Sequence, residues 1–212
     1  WRQRIGCEIL DGLGSTEMLH IFLSNREGDV RPNCSGRPVP GYQLSVVDDK
    51  GNQVEDGVLG NLHVNGPTSA IMYWGQREKS RDTFKGCWTV TGDKYYVDQD
   101  GYYIYGGRSD DMLKVGGMYV SPFEVESALI AHKAVLEAAV VGRPDADNLI
   151  KPKAFIVLND SHKPSDALAD ELRSFVRESL AAYKYPRWIE FLNELPKTAT
   201  GKIQRYKLRH LI

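Results

Sequence analysis

The stretch Gly106-Gly107-Arg108-Ser109-Asp110-Asp111-Met112-Leu113-Lys114-Val115-Gly116-Gly117 marks a change in the character of the chain. Upstream of it, short aromatic and β-branched runs read as strands; downstream come a capped helix, more strands and further helices. The segment therefore reads as the junction of two folding units, residues 1–109 and 110–212. It carries an Arg, two adjacent Asp, a Lys and two glycine pairs, which supply a cation, two anions and two points where backbone can bend or approach a ligand closely. In isolation such a stretch is a charged β-turn. Its meaning depends on the motifs around it.

Composition narrows the classes. A chain of 212 residues, 42% hydrophobic and 26% charged, is ordinary for a globular protein and excludes a disordered or fibrous one. With 27 basic against 28 acidic residues the formal net charge is -1, so no whole-chain field argues for nucleic acid or membrane. Cys7, Cys34 and Cys87 are odd in number and form no C-x-x-C pair, which argues against a disulfide framework or a structural zinc and for a reducing cytoplasm. No apolar run approaches the roughly 18 to 20 residues that span a bilayer. Trp1-Arg2-Gln3-Arg4 has no initiator Met and no clear element start, so the chain is expected to begin inside a larger protein, with Ile5 to Leu10 as a strand.

Asp11-Gly12-Leu13-Gly14-Ser15-Thr16-Glu17 then reads as a loop. Glycines let backbone approach an anion, hydroxyls donate to phosphate oxygens, and a terminal carboxylate can hold Mg2+. A plain strand-to-turn connection capped by Ser15 or Thr16 fits the same residues equally well. From Gly36 the pattern becomes short strands: Tyr42 to Val47, Gly60 to Asn65, Cys87 to Val90, Lys94 to Val97 and Tyr102 to Tyr105, with a polar helix over Arg77 to Phe84. Their spacing predicts a small antiparallel, β-barrel-like subdomain. Thr91-Gly92-Asp93 sits between two of them as a tight turn whose carboxylate could accept from two neighbouring hydroxyls.

Past the junction, Met112 to Val115 and Met118 to Val120 form a hairpin around Gly116-Gly117. Ser121-Pro122-Phe123-Glu124 is a capping box that opens a helix to about His132. Val135 to Val141, Ala154 to Leu158 and Trp188 to Leu192 read as strands, and Ser165 to Ala182 as an amphipathic helix with Leu168, Leu172, Phe175, Val176 and Leu180 on one face. The tail Leu195 to Ile203 is a loop with Lys197 and Lys202 flanking two threonines and a glycine, followed by a short helix from Gln204 to Leu211. A lysine on such a loop can deliver positive charge to a developing anion. The fold class is thus α+β: a barrel-like subdomain, a hinge, and a compact α+β C-terminal domain.

Taken in order, Gly14-Ser15-Thr16-Glu17, Thr91-Gly92-Asp93, Gly107-Arg108-Ser109-Asp110-Asp111 and Pro196-Lys197-Thr198-Ala199-Thr200-Gly201-Lys202 resemble the adenylate-forming superfamily of acyl-CoA synthetases, luciferases and peptide-synthetase adenylation domains. The resemblance covers essentially the whole chain, but only the C-terminal part of a family enzyme. The phosphate loop that members carry upstream and most of the acyl-pocket domain are absent. Residues 1–109 would then be the end of the large adenylation domain and 110–212 the mobile C-terminal domain. Within the family, Asp11 to Ile21 and the stretch Gly107 to Gly117 look most like benzoate-CoA and hydroxybenzoate-CoA ligases, which share Leu13 where other members carry an aromatic residue beside adenine.

The resemblance implies ATP, Mg2+ and coenzyme A as reactants, an aryl carboxylate as substrate, and the missing N-terminal part of its own chain as partner. It implies that Asp11, Gly12, Gly14, Ser15, Thr16, Asp93 and Arg108 bind nucleotide, with Thr16 on the α-phosphate, Glu17 on Mg2+ and Asp93 on the ribose. The same resemblance implies that Lys202 is the catalytic lysine of the first half-reaction and Asp110 the hinge. Gly116 and Gly117 leave room for the pantetheine arm, and His20, Ile21 and Lys114 line the acyl pocket. Transfer to a carrier protein or an oxidative second step is the alternative within the family; a binding module without activity is the alternative outside it. The chain alone is expected to be inactive.

Overall fold

A computed structural model describes residues 1–211. The chain divides into two compact units, with the division between Ser109 and Asp110. The expected strand at Ile5 to Leu10 does not form: Arg2–Ile5 is one helical turn (α1), stopped by Gly6 at φ 79°, and Ile9 and Leu10 are exposed. No strand among the described residues pairs with this segment, so its apolar pattern alone does not hold it extended.

The first unit contains two sheets. Gly12–Gly14 (β1), Ile21–Ser24 (β2) and Arg37–Pro38 (β3) form a small antiparallel sheet. Gln43–Val47 (β4) and Gly60–Asn65 (β5) pair antiparallel in a second sheet. After the helix Arg77–Thr83 (α2) come Phe84–Lys85 (β6), Trp88–Val97 (β7) and Tyr103–Arg108 (β8). β7 takes β5 on one edge; on the other, β6 pairs with its beginning and β8 with its end. Met18, Phe22, Leu23, Leu62, Val64 and Tyr95 pack between these strands with almost no exposure.

This corrects the expectation of a barrel. The sheet order is β4-β5-β7-β6 with β8 also on β7, and no sheet among the described residues closes. Closure needs an unbroken, staggered ladder from the first strand to the last. Here one edge of β7 is divided between two partners, and β4 at the far edge meets neither of them. Short, evenly spaced strands announce antiparallel pairing but do not say whether the outer edges meet.

A second correction concerns Thr91-Gly92-Asp93, which lies inside β7 rather than in a turn. Along β5 the partners step from Asn61↔Lys94 to His63↔Val90, so these residues are looped out as a bulge, with Gly92 at φ 76°. Two predicted strands are one, bent at its glycine.

The second unit is built on a sheet buried on both faces. Leu113–Val115 (β9) and Met118–Val120 (β10) form the expected hairpin, with Gly116 at φ 57° and Gly117 at φ 85°. Pro122–Ile130 (α3) is capped by Ser121, whose hydroxyl accepts from the Glu124 N–H at 3.3 Å. Val135–Pro144 (β11) pairs antiparallel with Ile150–Leu158 (β12), and Trp188–Phe191 (β13) adds in parallel. Ala138, Val140, Ala154 and Ile156 face α3 and the helix Asp166–Ser179 (α4). The alternate residues Ala139, Val141, Phe155 and Val157 face Leu195 and Leu208, the latter on the closing helix Arg205–Arg209 (α5). That two-sided burial is why these strands read as continuous apolar runs. Leu168, Leu172 and Val176 anchor α4, each burial stabilising by about 1.5–3 kcal/mol relative to exposure.

Glycine spacing makes the fold testable at one point. Gly36, at φ 88°, lies so close to β2 that an added Cβ would stand 2.1 Å from the carbonyl carbon of Ser24, whereas Gly57, at φ 82°, has open space there. Both alanine variants pay for the positive φ, about 1–2 kcal/mol, but only Gly36→Ala also forces the strands apart, adding about 1–3 kcal/mol. Urea denaturation should therefore rank Gly36→Ala well below Gly57→Ala; equal losses would contradict the packing described.

Candidate functional site

The Asp11 to Glu17 segment, read above as a loop, is largely hairpin. β1 and β2 run antiparallel with a register shift at Leu13/Gly14. An added Cβ at Gly12 would stand 2.6 Å from the Leu23 carbonyl oxygen, and one at Gly14 2.8 Å from that of His20. These two glycines therefore permit the approach of the hairpin's own backbone, a different requirement from approach to an anion. Ser15–Leu19 makes the turn: the Met18 N–H donates to the Ser15 carbonyl and hydroxyl, and Leu19 sits at φ 71° with its side chain exposed. A bulky residue in the left-handed region costs of order 1–3 kcal/mol and requires a surrounding structure that imposes it.

What holds this turn is the segment Gly66 to Tyr73. The Thr68 hydroxyl donates to the Met18 carbonyl at 2.6 Å and the Ala70 N–H to the Glu17 carbonyl at 2.7 Å. The Tyr73 hydroxyl donates to Glu17 Oε1, and the Lys79 ammonium lies 4.1 Å from the Tyr73 ring centroid. Partial burial pushes the Glu17 carboxyl upward, but hydrogen bonds from Tyr73, its own backbone N–H and Ser15, with the Lys79 charge, outweigh this and hold it below its ordinary value. Burial first, and then the bond to Glu17, push the Tyr73 hydroxyl upward. Glu17 is thus an ionised, half-buried carboxylate with a fixed orientation. Thr16 beside it is exposed. On the flank, His20 Nε2 lies 3.2 Å from the Tyr42 hydroxyl, and Ile21 is exposed.

The second cluster sits on the β7 bulge. Asp93 is 8% exposed and accepts from Arg108 Nη1 at 3.2 Å, while the same guanidinium nitrogen donates to the Thr91 carbonyl at 3.1 Å. An added Cβ on Gly92 would stand 2.8 Å from Arg108 Nη2. The bulge, the missing side chain and the register Asp93↔Arg108 together bring these groups into contact. Tyr95 links the two clusters electrostatically. Burial raises its hydroxyl far above the ordinary range, the hydrogen bond with Ser35 opposes this, and the charges of Asp93 and Asp11 both add to the rise.

In the second unit Lys202 is exposed at the end of a small hairpin. Lys197 and Ile203 bridge antiparallel, Thr198 N–H donates to the Lys202 carbonyl at 2.8 Å, and Lys202 N–H donates to the Thr198 hydroxyl at 3.1 Å. Its neighbour Lys197 is paired with Glu137. Gly116 and Gly117 have open space where a Cβ would project, and Lys114 is exposed on β9. Asp110 is exposed at the division between the units.

The structure therefore groups Asp11, Gly12, Gly14, Ser15, Thr16, Glu17, His20 and Ile21 on one hairpin and pairs Asp93 with Arg108 nearby, all in the first unit. Lys114, Gly116, Gly117 and Lys202 belong to the second. Sequence reasoning missed Tyr73 and Lys79: one follows the apolar run Ala70-Ile71-Met72 and the other stands on α2, 56 or more residues from Glu17, and no local pattern signals a phenol aimed at a distant carboxylate. Among the described residues no group of three His, Cys, Asp or Glu could hold a metal. A single oriented carboxylate is nevertheless the kind of ligand that suits Mg2+ shared with substrate phosphates.

Comparison with known proteins gives matches along this whole chain. Residues 1–74 match the family model of AMP-binding enzymes, and residues 124–202 that of the AMP-binding enzyme C-terminal domain. A benzoate–CoA ligase of Thauera aromatica is 63% identical over 99% of this chain and 40% of its own length. A 4-hydroxybenzoate–CoA/benzoate–CoA ligase of Rhodopseudomonas palustris is 52% identical over 100% of this chain and 39% of its own. Among solved structures, an anthranilate CoA ligase in complex with anthranoyl-AMP is 59% identical, with TM-score 0.93, over 100% of this chain and 41% of that one. The chain thus spans about two-fifths of the length of these relatives.

The Glu17 geometry carries a pH consequence. A carboxyl whose folded-state value is depressed contributes stability above the ordinary glutamate range and loses it as pH falls through the depressed value. Removing the Tyr73 hydroxyl as Tyr73→Phe should raise the Glu17 titration midpoint, followed by NMR, and shrink the stability lost on acidification. An unchanged midpoint would show that the Tyr73 bond does not hold the carboxylate.

Proposed function

Because the chain belongs to the adenylate-forming acyl- and aryl-CoA ligase superfamily, we propose that it is part of an ATP-dependent ligase that joins benzoate or a related aromatic acid to coenzyme A. The observation that carries this reading is the 63% identity with a benzoate–CoA ligase across 99% of the chain. Trp1–Ser109 would be the end of a larger adenylation domain and the unit from Asp110 a C-terminal domain that moves about Asp110. Cys7, Cys34 and Cys87 are free thiols, and no helix among the described residues is long and apolar enough to cross a membrane. Both features suit a cytoplasmic enzyme.

The chemistry runs in two steps. A carboxylate oxygen of the acid attacks the α-phosphorus of ATP, forming an acyl-adenylate as pyrophosphate leaves. The thiol of CoA then attacks the acyl carbon, and AMP leaves with the C–O bond electrons. Thr16, exposed on the hairpin turn, supplies a hydroxyl donor to the α-phosphate. Glu17, held ionised by Tyr73, is the residue that would hold Mg2+, which when bound neutralises charge on the phosphates. Asp93 accepts hydrogen bonds from the ribose, with Arg108 beside it fixing the carboxylate. Asp11, Gly12, Gly14 and Ser15 would shape the backbone against which the nucleotide lies, and His20, Ile21 and Lys114 would line the acyl pocket.

Lys202 places an ammonium against the oxygens that gain negative charge in the first step, where a fixed cation is worth most. Its exposed hairpin suits a group that serves one half-reaction and withdraws for the other. Gly116 and Gly117, with open space above them, would then admit the pantetheine arm.

In the full-length ligase, Lys202→Ala should lower benzoate-dependent ATP–pyrophosphate exchange by at least about 100-fold, while supplied benzoyl-adenylate is still converted to benzoyl-CoA. Surviving exchange would remove Lys202 from the first step; absence of exchange by the wild type with any aryl acid would refute the substrate class. The 212-residue chain by itself should show no exchange above background, and measurable exchange by it would contradict its being only part of the active machinery.

A further inference from the structure

The second unit contains an ion-pair network that the proposed chemistry does not use. Arg205, the first residue of α5, donates from Nη2 to Glu126 Oε2 at 2.7 Å and Oε1 at 3.0 Å, and from Nε to Oε1 at 3.2 Å. Glu126 is 5% exposed on α3, and its Oε1 also accepts the Val140 N–H of β11 at 2.7 Å. From Nη1, Arg205 reaches Asp111 Oδ2 at 3.3 Å, and Arg209 donates to the other oxygen of the same carboxylate. Three parts of the unit therefore meet on one guanidinium: Asp111, the second residue of the unit, the buried acid of α3, and the helix that follows the Lys202 hairpin.

We propose that Arg205 is a positioning residue for Lys202, acting through Glu126 and Asp111. The hairpin that carries Lys202 has few anchors of its own. Its start is fixed by buried Leu195 and by the Lys197–Glu137 pair; its end is fixed by half-buried Ile203, packed against the cluster of Leu195 and Leu208, where Gln204 N–H donates to the Pro196 carbonyl, and where Arg205 enters the network. Between these points Thr198 to Lys202 is exposed and held only by bonds within the turn. With only Ile203 and Gln204 between them along the chain, a shift in the seat of Arg205 is passed to Lys202. A guanidinium spread across two carboxylates is a rigid seat, since its donors lie in one plane and each bond constrains the others. Asp111 is the lever, because it ties that seat to the residue next to Asp110. A positive charge that stabilises a transient anion has to arrive at a fixed place, and misplacement by about 1 Å costs on the order of 100-fold.

This inference rests on Lys202 serving the first half-reaction, and the experiment separates the two claims. In the full-length ligase, wild type, Lys202→Ala, Arg205→Lys and Asp111→Asn are compared by benzoate-dependent ATP–pyrophosphate exchange, by conversion of supplied benzoyl-adenylate to benzoyl-CoA, by melting temperature, and by amide hydrogen exchange over residues 197–203. Arg205→Lys keeps the charge but loses the fork; Asp111→Asn leaves the Arg205–Glu126 pair in place and serves if the other variant folds poorly. The expected result is at least a 10-fold loss of pyrophosphate exchange in both, thioester formation within about threefold of wild type, and faster amide exchange over residues 197–203. If Lys202→Ala abolishes pyrophosphate exchange while Arg205→Lys and Asp111→Asn leave it within twofold, the positioning role is overturned and the functional reading stands. If both half-reactions fall together with the melting temperature in both variants, the network is merely structural and the positioning role is overturned as well. If Lys202→Ala itself leaves pyrophosphate exchange intact, the functional reading falls, and this inference with it.

Discussion

The absence of a side chain at Gly92 is the constraint around which the first unit is arranged. It allows β7 to bulge, and the bulge brings Asp93 opposite Arg108 with the guanidinium packed over the glycine. β7 is also the strand on which β5, β6 and β8 all pair. The same residue that bends the strand therefore sets where the last strand of the unit ends, one residue before the chain passes to Ser109 and then to the second unit. Asp93 buried at this point is a charge with a partner, which is the condition under which burial of a carboxylate is tolerated.

Each unit, taken by itself, offers a different kind of surface to the proposed chemistry. The first offers fixed groups: a carboxylate oriented by a phenol, a hairpin whose glycines let its strands touch, and an ion pair half-enclosed by sheet. The second offers a well-buried sheet, covered on both faces, together with an exposed lysine hairpin and the two-glycine turn between β9 and β10. A nucleotide is best gripped by the first kind of surface, because preorganised donors and acceptors cost no reorganisation when charge develops. A cation needed in only one of two steps belongs on the second kind.

Much of this was legible in the sequence, and the failures have physical causes. Gly60–Asn65 and the hairpin Leu113–Val120 were readable because alternation and a double glycine act over a few residues. Ser121 as a helix cap was readable for the same reason. The barrel was not, because closure depends on which edges meet, and β6 and β8 share an edge that the pattern cannot assign. Ile5 to Leu10 carries a strand's composition without a partner to pair with. Gly12 and Gly14 were read as making room for an anion, whereas they make room for the Leu23 and His20 carbonyls across the hairpin. Tyr73 was invisible because its role exists only in space: it reaches Glu17 across 56 residues of chain.

The central claim is that the first unit holds the nucleotide while Lys202 of the second acts only as charge develops. Its most direct test is the affinity of the full-length enzyme for a stable benzoyl-adenylate mimic, such as the sulfamoyl adenosine, measured by calorimetry for wild type, Asp93→Asn and Lys202→Ala. Loss of a charged hydrogen bond to ribose is worth about 1.5–3 kcal/mol, so Asp93→Asn should weaken binding by about 10-fold or more while Lys202→Ala stays within about threefold. Wild-type affinity in Asp93→Asn, with the loss appearing in Lys202→Ala instead, would contradict the division of roles between the two units.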